Sequence, residues 1–257
     1  MNRFVIFTDR PYSLLTSILL DALAVFSKAE VVVFSFGFQF EHSHPRLTVI
    51  PYELTGSNNF WIERLWRLAN MSGSFIVLDA DTVPNWNVDE LFTLCNRGHR
   101  ILQQHGVCGR FYQPDLDFLQ VVAAPIYCNT VPLIFSDGGS EWLRAVWGWV
   151  DVFRAYHLKS YGSEINDEWI LNWLRCAASE TAFTSIGGMD REWLDSYINA
   201  QFRNEGGLYG GDRITWHTFH GEKDEVKARA MFEKLLDLGP DFLFSNPWRN
   251  RAPKIFS

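Results

Sequence analysis

The stretch that indicates the fold most clearly is an apolar run followed by two aspartates. Residues 75–82 read FIVLDADT. The four apolar residues at the start predict a strand that is buried on both faces, and Asp79 and Asp81 follow that strand at once. In open α/β sheets, ligands bind beyond the carboxyl ends of the strands. The stretch therefore predicts a buried sheet with an acidic site at its edge.

Short apolar strands alternate with helical patterns around this stretch. The spacing of apolar residues predicts strands at 4–8, 30–38, 46–52 and 74–78, and helices at 13–28 and 59–71. Such alternation predicts an α/β domain whose largely parallel sheet is flanked by helices.

The second half of the chain has a less regular pattern. Strands are predicted at 121–126 and 131–135, helices at 141–156, 166–177 and 225–236, and a glycine-rich loop at 206–211. No repeat or low-complexity tract divides the chain. We therefore expect a single domain over 1–257, in which 237–257 form a C-terminal tail.

Composition limits the classes of partner. The chain has 257 residues, 47% of them hydrophobic, and a formal net charge of −7 at pH 7. Because an acidic surface repels phosphates, nucleic acid is not expected as a partner. The cysteines at 95, 108, 128 and 176 form no CxxC pair. That spacing favours reduced, buried thiols over disulfides or a zinc site.

The cellular location is predicted from the ends of the sequence. No cationic leader followed by an apolar stretch opens the chain, and no segment approaches ~18 uninterrupted apolar residues. We therefore expect a cytoplasmic protein. The stretch 242–257 mixes aromatic and basic side chains. This composition favours packing onto the domain, and it leaves open a peripheral contact with an anionic membrane surface.

Asp79 and Asp81 are suited to hold a divalent cation. Hard carboxylate oxygens are preferred by Mg²⁺ and Mn²⁺, and a cation held by two carboxylates at a strand end can also bind a diphosphate. Aspartate is also common in turns after strands, so the triplet alone leaves a plain turn open.

A phosphatase of the haloacid dehalogenase type is a rival interpretation. Its first motif is also an apolar strand followed by Asp-x-Asp, in which the first Asp is a nucleophile. That motif usually lies near the chain start, whereas several predicted elements precede Asp79 here. The downstream pair Gly211-Asp212 also lacks the second acid that such enzymes need. Both observations disfavour a phosphatase.

Five short patches follow one another along the chain. They are TDRPY at 8–12, LDADT at 78–82, YCNTV at 127–131, DEWILN at 167–172 and WHTFHGEK at 216–223. Together they resemble motifs of glycosyltransferase family eight, the group of glycogenin and the bacterial lipopolysaccharide galactosyltransferases. The resemblance implies a GT-A fold, which is a Rossmann-like, mixed and mostly parallel sheet flanked by helices.

The resemblance implies roles for residues in the first three patches. In the first, Asp9 would meet the nucleotide base and Tyr12 would stack on it, with Thr8 in the same donor-binding turn. In the second, Asp79 and Asp81 would bind Mn²⁺, with Mg²⁺ as the alternative. In the third, Asn129 would orient the donor sugar, although Val131 stands where the family has glycine.

The last two patches carry the remaining implied roles. Asp167 and Glu168 would be the catalytic residues beside the donor sugar. Glu168 stands where the family has glutamine, and an acid at that place could act as a nucleophile. First-turn acids also favour the positive end of a helix, so a purely structural role stays open. His217 would complete the metal shell and Lys223 would hold the diphosphate.

Two further site assignments rest on weaker matches. The glycine of the fifth patch lies one position later than in the family, so His220 is an alternative metal ligand. Arg64 lies on the helix before the metal strand, where family members place a basic residue that reaches the diphosphate or the sugar. A solvated arginine on the helix surface is the alternative.

These assignments predict a metal-dependent hexosyltransferase. It would move a hexose from a nucleoside-diphosphate sugar, by resemblance a UDP-sugar, to a hydroxyl of a saccharide or glycoconjugate, with retention of configuration. A catalytically inactive carbohydrate-binding protein of the same fold is the main alternative. A sugar-phosphate nucleotidyltransferase is disfavoured because residues 8–12 contain no glycine.

Overall fold

The computed structural model describes residues 2–56, 58–84, 88–95, 101–105, 111–120, 127–177, 183–185, 200–201, 215–217 and 225–238. The chain divides into two compact units that alternate along the sequence. The first unit comprises Met1–Tyr52, Leu78–Thr93 and Met189–Ser257, and the second comprises Glu53–Val77 and Leu94–Gly188. No helix in the described part is long and apolar enough to cross a membrane.

The secondary structure alternates as the sequence predicts. The strands are β1 (Arg3–Asp9), β2 (Glu30–Phe36), β3 (Leu47–Tyr52), β4 (Phe75–Asp79), β5 (Thr82–Pro84), β6 (Ile101–His105), β7 (Cys128–Phe135), β8 (Phe183–Ser185), β9 (Ala200–Gln201) and β10 (Thr215–His217). The helices are α1 (Ser13–Phe26), α2 (Phe60–Ala69), α3 (Gln113–Phe118), α4 (Gly139–Ala145), α5 (Trp147–Tyr161), α6 (Asp167–Ala177) and α7 (Glu225–Leu238). Short 3-10 helices span Arg10–Tyr12 and Val88–Leu94.

The first unit is built on a parallel sheet in which β2 lies between β1 and β3. The middle residues of β1 and β2 are buried, as their continuous apolar runs predict for strands covered on both faces. Phe7 stacks on Phe34 across the two strands, with ring centroids 4.9 Å apart. Helix α1 packs on α7 through an edge contact between Phe26 and Phe232. A small second sheet has the order β5-β10-β9.

The second unit is built on a mixed sheet. Strand β7 is antiparallel to both β4 and β6, and β6 is parallel to β8. Phe75 of β4 stacks on Phe135 of β7, with centroids 4.5 Å apart. Helix α2 is fixed against α4 because the buried Ser140 hydroxyl donates to the Leu68 carbonyl at 2.7 Å. Parallel and antiparallel pairings together make the sheet mixed, as the predicted fold class requires.

Several element predictions need correction. The predicted helix 141–156 is two helices, because the chain leaves helical geometry at Val146 (φ −94°, ψ 9°) before α5 begins. The pattern did not predict helix α3 or the strands β5, β6, β8, β9 and β10. The predicted strand 121–126, the loop 206–211 and the tail 237–257 lie wholly or almost wholly outside the described residues. A single domain over 1–257 stays a prediction.

The cysteine prediction holds for the thiols that the structure describes, with one difference in burial. Cys95, Cys128 and Cys176 form no disulfide; Cys95 and Cys128 are buried, Cys128 Sγ accepts from Arg175 Nη1 at 2.6 Å, and Cys176 is only half-buried. Burial raises the pKa of both the Cys95 and the Cys176 thiol to about 11. These thiols therefore stay protonated at neutral pH and are poor nucleophiles. Cys108 lies outside the described residues.

Candidate functional site

The turn after β1 is held by Asp9. This residue caps the 3-10 helix that follows, since its Oδ1 accepts from the backbone N–H of Tyr12 at 3.2 Å. The Asp9 and Tyr12 side chains are both half-buried at the carboxyl end of the strand. Thr8 is fully buried, and its hydroxyl accepts from Thr16 at 2.7 Å. The Thr8 side chain therefore supports the turn from inside.

The end of β4 and its short connection to β5 carry two carboxylates. Strand β4 ends at Asp79 and β5 begins at Thr82, so only Ala80 and Asp81 separate the two strands. Ala80 is buried, whereas Asp79 and Asp81 are half-buried. A short turn after a buried strand thus brings two acids to the surface at one edge of the first unit.

His217 is brought to the same place by strand pairing. Strand β10 is antiparallel to β5, and the register sets His217 opposite Thr82, the residue that follows Asp81. Directly opposed residues in an antiparallel pair have Cβ atoms ~4.5–5.5 Å apart. His217 and the acid pair therefore share one end of the small sheet, although His217 lies 135 positions after Thr82 in the chain.

The chemistry of this group fits a divalent cation. Two carboxylates and an imidazole are ligands that Mn²⁺ accepts. Among the side chains that the structure describes, no group of three His, Cys, Asp or Glu residues forms a metal cluster. The side chain of His217 is outside that set, so the third ligand is placed by backbone register alone.

In the second unit, the structure pairs Arg64 of α2 with Asp167 of α6. Arg64 Nη1 lies 3.3 Å from Asp167 Oδ2, and each side chain is only 5% exposed. In a buried pair of this kind, each charge offsets the cost of burying the other. The guanidinium of Arg64 is thus engaged inside the unit, and its contact with a diphosphate stays a prediction.

The neighbouring acid, Glu168, has a different environment. It is half-buried and shares a side-chain hydrogen bond with Tyr127, whose ring is buried. Burial and the nearby Glu168 carboxylate raise the pKa of Tyr127. The tyrosine therefore remains a hydroxyl donor at neutral pH, and Glu168 accepts from it as a carboxylate. Hydrogen bonds of this kind orient a carboxylate and favour its ionised form.

Asn172 fixes the helix that carries both acids. Its side-chain amide accepts from the Cys128 backbone N–H at 2.9 Å and donates to the Cys128 carbonyl at 2.7 Å. The same amide nitrogen lies 2.8 Å from the Glu168 carbonyl one turn earlier. Asn172 is fully buried. Helix α6 is therefore locked to the start of β7, next to Tyr127.

The remaining predicted site residues are only partly placed. Asn129 lies in β7 opposite Gln104, one residue after the Cys128 that Asn172 holds, and its side chain is outside the described part. His220 and Lys223 lie outside the described residues. Their roles stay predictions.

The sequence itself matches no protein-family model and no curated protein. Solved structures do match. The galactosyltransferase LgtC, crystallised with donor and acceptor sugar analogs, superposes with a TM-score of 0.58 at 11% identity, covering 91% of this chain and 95% of its own. The glycosyltransferase GlyE of Streptococcus pneumoniae TIGR4 superposes with a TM-score of 0.53 at 13% identity. The match covers 92% of this chain and 62% of the GlyE chain.

A eukaryotic enzyme also matches. Mouse xyloside xylosyltransferase 1 gives a TM-score of 0.50 at 12% identity, covering 84% of this chain and 97% of its own. The chain has a GT-A glycosyltransferase fold. This confirms the predicted fold class. At these identities the likeness establishes the fold, and the sugars bound by LgtC are properties of that protein.

Sequence reasoning missed Tyr127 and Asn172 as site residues. Both lie inside quoted patches, YCNTV and DEWILN. The two patches are linked by the hydrogen bond from the Tyr127 hydroxyl to the Glu168 carboxylate. A local sequence pattern does not predict such a long-range contact. A buried polar residue within an apolar helix face, as at Asn172, is the one available hint, because buried amides need partners.

Proposed function

We propose that this protein is a metal-dependent glycosyltransferase that moves a hexose from a UDP-sugar to a hydroxyl of a saccharide or glycoconjugate. The observation that carries the proposal is the β5–β10 pairing, whose register sets His217 opposite Thr82, the residue that follows Asp81. The family resemblance assigns these three residues to one metal shell from distant patches of sequence. The strand register supports that assignment independently, within a fold shared with glycosyltransferases.

Asp79, Asp81 and His217 would hold Mn²⁺, with Mg²⁺ as the alternative. When bound, the cation would neutralise the charge that develops on the departing diphosphate. Lys223 would hold the same diphosphate. Asp9 and Tyr12 would bind the nucleotide base at the turn after β1, where the Asp9 cap already fixes the backbone of Tyr12.

In the second unit, Glu168 would act at the donor sugar. Its half-buried carboxylate is oriented by Tyr127 and lies on a helix that Asn172 locks in place. Asp167 would be kept ionised by Arg64 and would add negative charge beside a sugar that becomes positively charged in the transition state. A stable framework of this kind is what catalysis by positioning requires.

The overall reaction replaces the bond from the anomeric carbon to the diphosphate with a bond from the same carbon to the acceptor oxygen. The bond between the anomeric carbon and the diphosphate oxygen breaks, and its electron pair leaves with UDP. In a double displacement, a Glu168 oxygen first bonds to the anomeric carbon. The acceptor oxygen then displaces Glu168, and the hydroxyl proton passes to the departed diphosphate. Two inversions give net retention.

Location remains a part of the proposal. We propose a cytoplasmic protein whose principal partner is a saccharide acceptor and whose stretch 242–257 packs onto the domain, with a weak peripheral membrane contact as the alternative.

The choice of histidine ligand tests the metal shell. We expect His217→Ala to weaken Mn²⁺ binding in the presence of UDP by at least about tenfold, since loss of even an outer partner of a metal ligand costs ~10–100-fold. His220→Ala, a matched change three residues away, should leave Mn²⁺ affinity within about twofold. Isothermal titration of Mn²⁺ into each variant with UDP measures both. The reverse ranking would make His220 the ligand, and two unchanged variants would reject the metal shell.

A further inference from the structure

A half-exposed aromatic ring lies beside the acids of α6. Tyr112 is 41% exposed, and its ring packs on that of Trp169, with centroids 5.9 Å apart and planes tilted by 36°. Trp169 is the next residue after Glu168 and is itself half-buried. A ligand resting on the Tyr112 ring would therefore lie at the N-terminal end of α6, next to Glu168.

The Tyr112 backbone is rigidly held. Its carbonyl accepts from the backbone N–H groups of Asp115 and Leu116 at 3.0 and 3.2 Å, and its own N–H donates to Asp115 Oδ2 at 3.3 Å. Asp115 is 1% exposed and accepts from the Tyr161 hydroxyl at 2.6 Å. This network fixes the first turn of α3, from which the Tyr112 ring projects.

Trp169, which contacts the Tyr112 ring, is held by contacts of its own. Its backbone N–H donates to Asn166 Oδ1 at 2.9 Å, and its ring makes edge contacts with Tyr161 and His157, with centroids 5.6 and 5.0 Å apart. Binding to a surface that is already ordered costs little conformational entropy. The Tyr112–Trp169 pair is thus a preorganised aromatic surface.

The polar groups near this surface match a sugar. Trp169, whose ring contacts Tyr112, directly follows Glu168 in the chain. Glu168 in turn shares a side-chain hydrogen bond with Tyr127. The aromatic surface is thus linked to the Tyr127–Glu168 pair through the first turn of α6. A pyranose presents an apolar C–H face and a rim of hydroxyls, and an aromatic face with polar groups at its edge complements both.

We propose that Tyr112, backed by Trp169, is a stacking platform for a pyranose ring of the acceptor saccharide. The proposal rests on the proposed function for the identity of the ligand as acceptor, and on the contacts of the second unit for its location. A ring placed there would bring its hydroxyls to the side of Glu168, where a glycosyl group would be transferred. The platform would therefore contribute to acceptor affinity and leave donor binding unchanged.

The test compares Tyr112→Ala with Tyr112→Phe and with Trp149→Ala as a control. Trp149 is similarly exposed, at 47%, but lies on α5 and packs on Phe153. Methyl β-D-galactopyranoside and methyl β-D-glucopyranoside are titrated against each protein by saturation-transfer NMR, and UDP-sugar hydrolysis without acceptor is measured in parallel. Tyr112→Ala should weaken binding of at least one glycoside by about five- to tenfold, whereas Tyr112→Phe and Trp149→Ala should stay within about twofold of the wild type.

The outcomes separate the platform from the proposed function. If no glycoside binds the wild type, if Tyr112→Ala binds as the wild type does, or if Trp149→Ala loses as much affinity, the platform is rejected. An equal loss of donor hydrolysis in Tyr112→Ala also rejects it, because the residue would then act on the donor or on the fold. If the wild type hydrolyses no UDP-sugar, the proposed function fails, while the glycoside titration still decides whether the platform exists.

Discussion

Asp81→Asn is expected to lower metal-dependent UDP-sugar turnover by about 10²–10³-fold while the protein stays folded. The amide keeps the size of the side chain but removes the charge that holds the cation and, through it, the diphosphate. Removal of one preorganised group that stabilises developing charge typically costs about that factor. Asp81 is half-buried in a two-residue turn, so core packing should be little affected. Turnover is measured as release of UDP at saturating Mn²⁺.

The control is Asp151→Asn, the same chemical change at an exposed position of α5. It should keep wild-type turnover. Far-ultraviolet circular dichroism and the thermal midpoint are recorded for both variants to show that each is folded. Full activity in a folded Asp81→Asn protein would refute the metal assignment.

Glu168→Gln is expected to lower the transfer rate by about 10²–10⁴-fold with little change in donor affinity. The substitution restores the amide that the resembled family carries, keeps a hydrogen-bond acceptor for Tyr127, and removes only the charge. A carboxylate that acts at the anomeric carbon contributes in the transition state, so its loss should fall on kcat and leave KM almost unchanged. The competing interpretation, a first-turn helix acid, predicts near-normal turnover and a stability loss of only about 0.3–1 kcal/mol.

A matched control for this variant is Glu164→Gln. Glu164 is an exposed acid just before α6, where it accepts from Asn59 and lies 3.6 Å from Arg154. Its substitution should leave kcat unchanged. Proton NMR of the product early in the reaction gives an independent check. A product of inverted configuration would exclude both the nucleophile role and retention, and a Glu168→Gln variant with normal kcat would leave Glu168 as a helix acid.

The parts of the fold that the sequence predicts well are those in which local pattern and burial agree. Strands β1 and β4 contain continuous apolar runs because both faces are covered, and the acids Asp9 and Asp79 mark the strand ends. Strand β6 was missed because its sequence, ILQQH, places the fully buried Gln103 where a core strand normally carries an apolar residue. The break between α4 and α5 was missed because residues 141–156 keep apolar residues at helical spacing across it.

The candidate site was predictable only as separate pieces. Asp79 and Asp81 are adjacent in sequence, so their juxtaposition follows from the strand alone. The position of His217 depends on β10 pairing with β5, and the pairing of Arg64 with Asp167 depends on how α2 meets α6. Such contacts depend on tertiary packing, which no window of sequence encodes. The family resemblance supplied candidate residues for these contacts, but it did not supply the hydrogen bond from Tyr127 to Glu168.

The proposed glycosyltransferase activity is tested most directly by measuring release of nucleoside diphosphate from a panel of nucleotide sugars. The purified full chain is incubated with UDP-glucose, UDP-galactose and their GDP counterparts, with Mn²⁺ and with excess chelator. We expect release of UDP from at least one UDP-hexose with Mn²⁺, and loss of that activity with chelator. Absence of release from every donor by a folded protein would contradict it and favour a carbohydrate-binding protein with the same fold.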